Sequence, residues 1–139
     1  MEQQLAVSLP DADLVLRESV TTMLWQAGEI YDENGDVTLE SYDEKYDLGG
    51  LGEVDRLQIL TDVYGFIMRA MEEHVLEPYL RVFDWGHLCH DYWLTRNGHG
   101  VGFWDRGLGD VGVILSNLAD DGDYDVFAVD DSETGWSWE

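Results

Sequence analysis

The sequence predicts an α+β domain, with helices packed on a small antiparallel sheet, and three observations lead there. Apolar residues recur at helical spacing in three segments, residues 8–28, 51–76 and 108–119. Asn97-Gly98, the pair that suits a two-residue hairpin turn, sits between runs that alternate in the manner of strands. Tyr124 to Val129, YDVFAV, is β-branched and aromatic enough for a further strand. The chain has 139 residues, 45% of them hydrophobic. That suffices for a single domain over 1–139 that buries a core without disulfides or metals. The lone cysteine, Cys89, has no internal disulfide partner.

Ser8-Leu9-Pro10-Asp11 starts the first helix, with proline and acids in its first turn. Leu14, Val15, Val20 or Leu16, Met23 and Leu24 form its stripe, and Gly28 ends it. Trp25 falls among these residues and is expected in the core. Residues 29–50 are acidic, broken by glycine and rich in tyrosine, and read as a loop. The second helix carries Val54, Leu57, Leu60, Tyr64, Ile67, Met68 and Met71, and Gly65 within it implies close packing. Pro78 ends this helix or opens a short new one. A β-hairpin is expected over residues 91–105, pairing Arg96 with His99, Leu94 with Val101 and Tyr92 with Phe103. Gly100 and Gly102 would leave its other face bare beside Trp93. Leu108, Val111, Ile114, Leu115 and Leu118 mark the last helix, a strand follows near 124–129, and Trp136 and Trp138 alternate as a fourth strand would.

HDYWLTRNGHGVGFWDRG, residues 90–107, resembles a signature of small acidic proteins of bacteriophages and prophages. TMLW at 22–25 and YDEKYDL at 42–48 are similar in order and spacing to segments of the same proteins. The resemblance implies a mobile-element protein acting in the cytoplasm of a bacterial host. It carries over no functional residues, and DDSETGWSWE at 130–139 lies outside it.

Charge is the strongest functional signal. Thirty Asp and Glu stand against seven Lys and Arg, a net charge of -23. Such a field repels phosphate, which argues against direct nucleic-acid binding and against docking on an anionic membrane. No apolar run is long enough for a membrane span, and the N-terminus, MEQQLAVSLPDAD, has no basic leader region. Residues 107–139 hold nine acids and no lysine or arginine, and residues 29–55 hold ten acids and one lysine. Duplex DNA bears one charge per roughly 1.7 Å, so this net charge matches roughly 40 Å of duplex. Gathered on one face, the acids would imitate DNA. Scattered, they would form a solvated or salt-adapted surface, a reading that the single lysine, Lys45, also fits. Their mutual repulsion predicts stability gains with added salt and with mild acidification.

The candidate partner-binding residues are therefore Asp110, Asp120, Asp121, Asp123, Asp125, Asp130, Asp131 and Glu133, with Trp136 and Trp138 as aromatic anchors. A second candidate is calcium. Asp32, Asn34, Asp36 and Asp43 take EF-hand-like positions, but Val37 replaces the turn glycine and Asp43 is shorter than the usual glutamate. A third is zinc at His87, Cys89, His90 and His99, which hairpin geometry would hold apart. His90 and Asp91, as strand neighbours, would point to opposite faces and form no dyad. No nucleophile elbow, zinc-protease helix or phosphate loop is present, and GHGVG at 98–102 lacks the strand-to-helix setting of one. Arg96 and Arg106 are expected to neutralise internal carboxylates. These readings converge on a non-enzymatic acidic protein without cofactor. Its expected partner is a basic nucleic-acid-binding host protein, inhibited by DNA mimicry in the anti-CRISPR, anti-restriction, DNA-repair or transcription-inhibitor manner. The alternatives are a calcium-binding accessory protein and a small virion structural or assembly protein.

Overall fold

Helix α1, Ala12–Ala27, opens on Asp11, whose carboxylate accepts from the Leu14 amide at 2.9 Å, and closes at Gly28, where φ is 71°. Both ends lie where the sequence places them. The computed structural model describes residues 8–97, 102–129 and 134–139. After α1 come β1 (Glu29–Tyr31), β2 (Val37–Ser41), a one-turn helix α2 (Tyr42–Lys45) and a 3-10 turn at Leu48–Gly50. Next are α3 (Glu53–Glu72), α4 (Leu76–Leu80), α5 (Trp85–Arg96), a second 3-10 turn at Phe103–Arg106 and α6 (Asp110–Leu118). The chain ends in β3 (Val126–Ala128) and β4 (Trp136–Trp138). The class is α+β: the strands form two antiparallel pairs, β1 with β2 and β3 with β4. Val126 pairs with Trp138 and Ala128 with Trp136, so both expected C-terminal strands are present.

The hairpin expected at 91–105 is not there. Residues up to Arg96 belong to α5, and Phe103–Arg106 is a 3-10 turn. His99 and Val101 lie outside the described residues. The reason is burial. Leu88, Cys89, Asp91, Tyr92, Trp93, Leu94 and Arg96 are all buried, so α5 is enclosed on most of its circumference. With only His87 and His90 on its exposed side, the helix carries little 3.6-residue signal, and its alternating aromatics imitate a strand. Asn97 serves as its C-terminal cap, and the Asn97 side-chain oxygen accepts from the Tyr124 amide at 3.0 Å. Gly102, with φ at 115°, lies so close to α5 that a Cβ there would stand 2.3 Å from Thr95 Oγ1.

The hairpin chemistry is instead used upstream. β1 and β2, in the segment read as a loop, pair through Glu29 with Ser41 and Tyr31 with Val37, and Asn34-Gly35 forms their turn. Gly35 has φ at 85°, which suits such a turn.

One buried cluster runs from Val15 to Trp138 and fills the space between α1, α3, α5 and the C-terminal strands. Helix α3 exists as expected but turns a different face inward. Ile59, Val63, Phe66, Ile67 and Ala70 are buried, while Val54, Leu57 and Met68 are exposed. Gly65 does not mark a close approach, since a Cβ there would meet only the Arg69 side chain at 3.5 Å. Of the two outcomes open at Pro78, a short new helix forms, α4, with Pro78 as its third residue rather than its first. Trp25 is not core but 60% exposed. At the other end of the chain Gly50 admits the C-terminal segment, because a Cβ there would collide with the Thr134 carbonyl oxygen.

Candidate functional site

The site is built from α1, the β1–β2 hairpin and the turn that follows it. Val15, Ser19, Thr22 and Met23 face the core from α1, which leaves Arg17, Thr21 and Trp25, four residues apart, on its exposed side. Beside this stripe runs a groove of about 670 Å³ lined by residues of α1, by Asp43 and Tyr46–Leu48, and by His90. The base of the hairpin is tied to the end of α1, since the Tyr42 amide donates to the Gly28 carbonyl at 2.8 Å. Tyr31 and Val37 are cross-strand partners, and Leu39 lies two residues beyond Val37 on the same face. All three are exposed, Leu39 completely. Glu29, Asp32, Glu33, Asp36, Glu40, Asp43 and Glu44 are exposed around them. An apolar strip within an acidic surround is the composition of a docking patch, with an apolar centre and polar rim.

Every arginine is engaged within the chain. Arg96, nearly buried, donates to Asp62 at 2.9 Å and to the carbonyls of Asp121 and Gly122. Its guanidinium lies 5.0–5.8 Å from the ring centroids of Trp93, Trp138, Tyr92 and Tyr124. Arg69 grips both oxygens of Asp121, and Arg56 donates to the carbonyls of Leu48 and Leu51. Arg17 and Arg81 make surface pairs with Asp13 and Glu77. Arg106 Nη2 donates to Asp91 Oδ1 at 2.6 Å, and the Tyr79 hydroxyl donates to Asp91 Oδ2 at 2.6 Å. Arg96 and Arg106 thus neutralise internal carboxylates, as expected.

Asp91 is completely buried. Burial alone would raise its pKa, but hydrogen bonds from His90, Arg106 and Tyr79 outweigh it and hold the carboxyl below its ordinary value. His90 Nδ1 stands 3.5 Å from Asp91 Oδ1. The two residues are therefore neighbours across space, contrary to the strand reading, because a helix lets adjacent side chains converge where a strand does not.

The acids singled out near the C-terminus divide. Asp110, Asp120, Asp123 and Asp125 are exposed. Asp121 is exposed as well, but its carboxylate is held by Arg69 and by the Tyr92 hydroxyl at 2.6 Å. Asp130, Asp131 and Glu133 lie outside the described residues. Trp136 and Trp138 are not surface anchors. They are 1% and 6% exposed, and their indole N–H groups donate to the carbonyls of Asp47 and Asp55. Alternation on a strand identified the pair but not the face, and that face is the core.

The calcium set does not assemble. Asp32 Oδ1 accepts the amides of Asn34 and Asp36, both at 2.9 Å, so this carboxylate closes the hairpin turn. Asp43 lies in α2 and accepts from Ser41. The zinc set fares alike. His87 and His90 share one side of α5, with ring centroids 6.1 Å apart, whereas Cys89 is buried in the core. Burial pushes the Cys89 thiol pKa up to about 12. His99 is outside the described residues. Among the described residues no three His, Cys, Asp or Glu side chains converge on a metal position, and no helix is long and apolar enough to cross a membrane.

The sequence reading missed Trp25 and the strip of Tyr31, Val37 and Leu39. For the strip, Asn34-Gly35 was the available signal. Comparison with protein-family models, curated proteins and solved structures finds no match.

Proposed function

We propose that this chain is a binding protein of a phage or mobile element. It acts in the host cytoplasm by occupying the nucleic-acid site of a basic host protein. The observation that carries this reading is the disposition of charge. The six arginines are engaged inside the chain, and the exposed carboxylates of the β1–β2 hairpin have no arginine partner among the described residues. The only lysine, Lys45, lies over the Tyr46 ring at 5.5 Å. A cationic groove evolved for phosphate meets here a surface of carboxylates, and long-range attraction steers the two together. Tyr31, Val37 and Leu39 then supply the apolar contact that charge alone does not. Asp110, Asp120, Asp123 and Asp125 are further exposed carboxylates that such a groove could meet.

The test is competition. The immobilised chain is exposed to a bacterial extract, and the captured protein is identified and purified. Duplex DNA should displace it, and its affinity should fall steeply with salt. Salt-insensitive capture, or a captured protein with no nucleic-acid site, refutes the reading.

A further inference from the structure

We propose that the groove between α1 and the Tyr46–Leu48 segment receives an arginine side chain from the basic partner's nucleic-acid-binding surface. This inference rests on the reading above and locates its central contact. The groove has an apolar floor, where Val20 and Leu24 of α1 meet Leu48, and it is open to solvent on one side. Trp25 stands at its edge, 60% exposed, an uncommon position for the largest apolar side chain. Glu18, Asp43 and Asp47 line the same groove. Its one lining arginine, Arg17, makes its ion pair with Asp13 at 2.9 Å and only a longer-range electrostatic contact with Glu18, and no ion pair joins it to Asp43 or Asp47.

The occupant follows from complementarity of charge and shape. An indole face with carboxylates nearby suits a planar guanidinium, which stacks on the ring while its N–H fork meets the acids. A lysine ammonium would satisfy the charge without the stacking. The apolar floor takes the methylene stem of the arginine and an aliphatic neighbour. The fold uses the same chemistry internally, where the Arg96 guanidinium lies among four aromatic rings with Asp62 as its carboxylate. A groove of about 670 Å³ is within the range of specific ligand sites.

The probe is a blocked peptide alternating arginine and leucine, titrated into the full chain and followed by amide and indole NMR shifts. The expected result is a set of shifts centred on Thr21, Trp25, Tyr46 and Leu48, with weaker binding of the lysine analogue and none of the citrulline analogue. Trp25→Ala should weaken the peptide about threefold to tenfold. Glu18→Gln with Asp43→Asn should weaken it further, whereas Glu72→Gln with Glu73→Gln, which removes equal charge outside the groove, should leave it unchanged. Equal loss in that control pair, or shifts centred elsewhere, overturns the proposal. The Trp25→Ala, Glu18→Gln chain is also tried in the DNA-competed capture. Capture at wild-type strength overturns the groove as the docking site and leaves the acidic-inhibitor reading standing. Absence of DNA-competed capture by the wild-type chain refutes that reading and the groove contact with it.

Discussion

Asp91→Asn should be among the most destabilising single-atom changes available to this fold. The substitution keeps shape and volume but removes the charge that faces Arg106. Asp91 is completely buried, and it accepts from Arg106 Nη2 at 2.6 Å, from Arg106 Nε at 3.1 Å and from Tyr79 Oη at 2.6 Å. An asparagine amide would turn donors toward the guanidinium donors. Breaking a buried ion pair on one side costs about 3–5 kcal/mol. Arg106 retains 24% side-chain exposure and can recover some hydration, which places the loss near the low end, about 3 kcal/mol. Against a typical domain stability of about 5–15 kcal/mol this is a large fraction. Urea unfolding of the single variants Asp91→Asn and Arg106→Met and of their combination measures it. The double variant should cost clearly less than the sum, because Arg106→Met removes the partner that the asparagine leaves unsatisfied. The acid limb carries the same signature. The folded pKa of Asp91 is held below its unfolded value, so the stability it contributes is present above that value. It is lost as pH falls through the folded pKa, and the variant should lack this part of the acid transition. A loss below about 1 kcal/mol, or simple additivity in the double variant, would refute the account of Asp91 as the ionised centre of the core.

Trp138→Ala should cost about 3–5 kcal/mol in urea unfolding, since it removes a buried ring set edge-on to Trp93 and stacked near Arg96. Leu39→Ser should change stability by less than about 0.5 kcal/mol, because the side chain is fully exposed, yet should weaken the DNA-competed capture. Melting temperature should fall in alkali, from about pH 8.5 upward. Burial raises the Cys89 thiol to about 12 and lifts the Tyr79, Tyr92 and Tyr124 hydroxyls, so each contributes stability below its unfolded pKa that is lost as pH rises toward the folded one. Melting temperature should rise between about 0.01 M and 0.1 M salt, as the Debye length shrinks from about 30 Å to about 10 Å, and a flat profile would show that the acids do not repel one another.

What was legible in the sequence was local chemistry. Asp11 and Gly28 bound α1 because a carboxylate cap and a glycine free to take positive φ act through their nearest neighbours. Helix α6 was legible from its apolar spacing, and strands β3 and β4 from β-branched and alternating aromatic residues. The face that a helix turns inward was not. Helix α3 carries enough apolar residues for two stripes, and only contact with the rest of the fold selects Ile59, Val63 and Phe66 over Val54, Leu57 and Met68. Helix α5 failed differently. It is enclosed by α1, the 3-10 turn at Phe103–Arg106 and the C-terminal aromatics, and its only exposed side is the narrow one with His87 and His90, too small to show a period. Asn-Gly occurs twice: at 34–35 it makes the hairpin turn with Gly35 at φ 85°, whereas Asn97 caps α5 with φ at -91° and Gly98 lies outside the described residues, so the pair alone did not decide between the two uses. At the candidate site, acidity was legible, but the exposure of Trp25 and the burial of Trp136 and Trp138 were not. Tryptophan serves core and interface equally well, and its neighbours in space decide.

The scarcity of cations and their location belong together. Arginine satisfies several acceptors at once through a planar fork, whereas lysine offers a compact, strongly hydrated point charge. A chain that must fold against its own negative field gains most from cations that bind several internal groups. Arg96 does so by joining Asp62 to the carbonyls of Asp121 and Gly122 within an aromatic enclosure. Arg69 does so by fastening Asp121 and the Leu118 carbonyl to α3. These contacts hold the acidic segment from Asp120 to Asp125 in a fixed course without covering Asp120, Asp123 and Asp125. If the exposed acids repel one another, as the salt prediction requires, a cationic partner relieves that repulsion on binding. Whatever binds the folded state alone stabilises it by mass action. A rise in melting temperature with salt would then mark the same carboxylates as contributors to affinity for a basic groove.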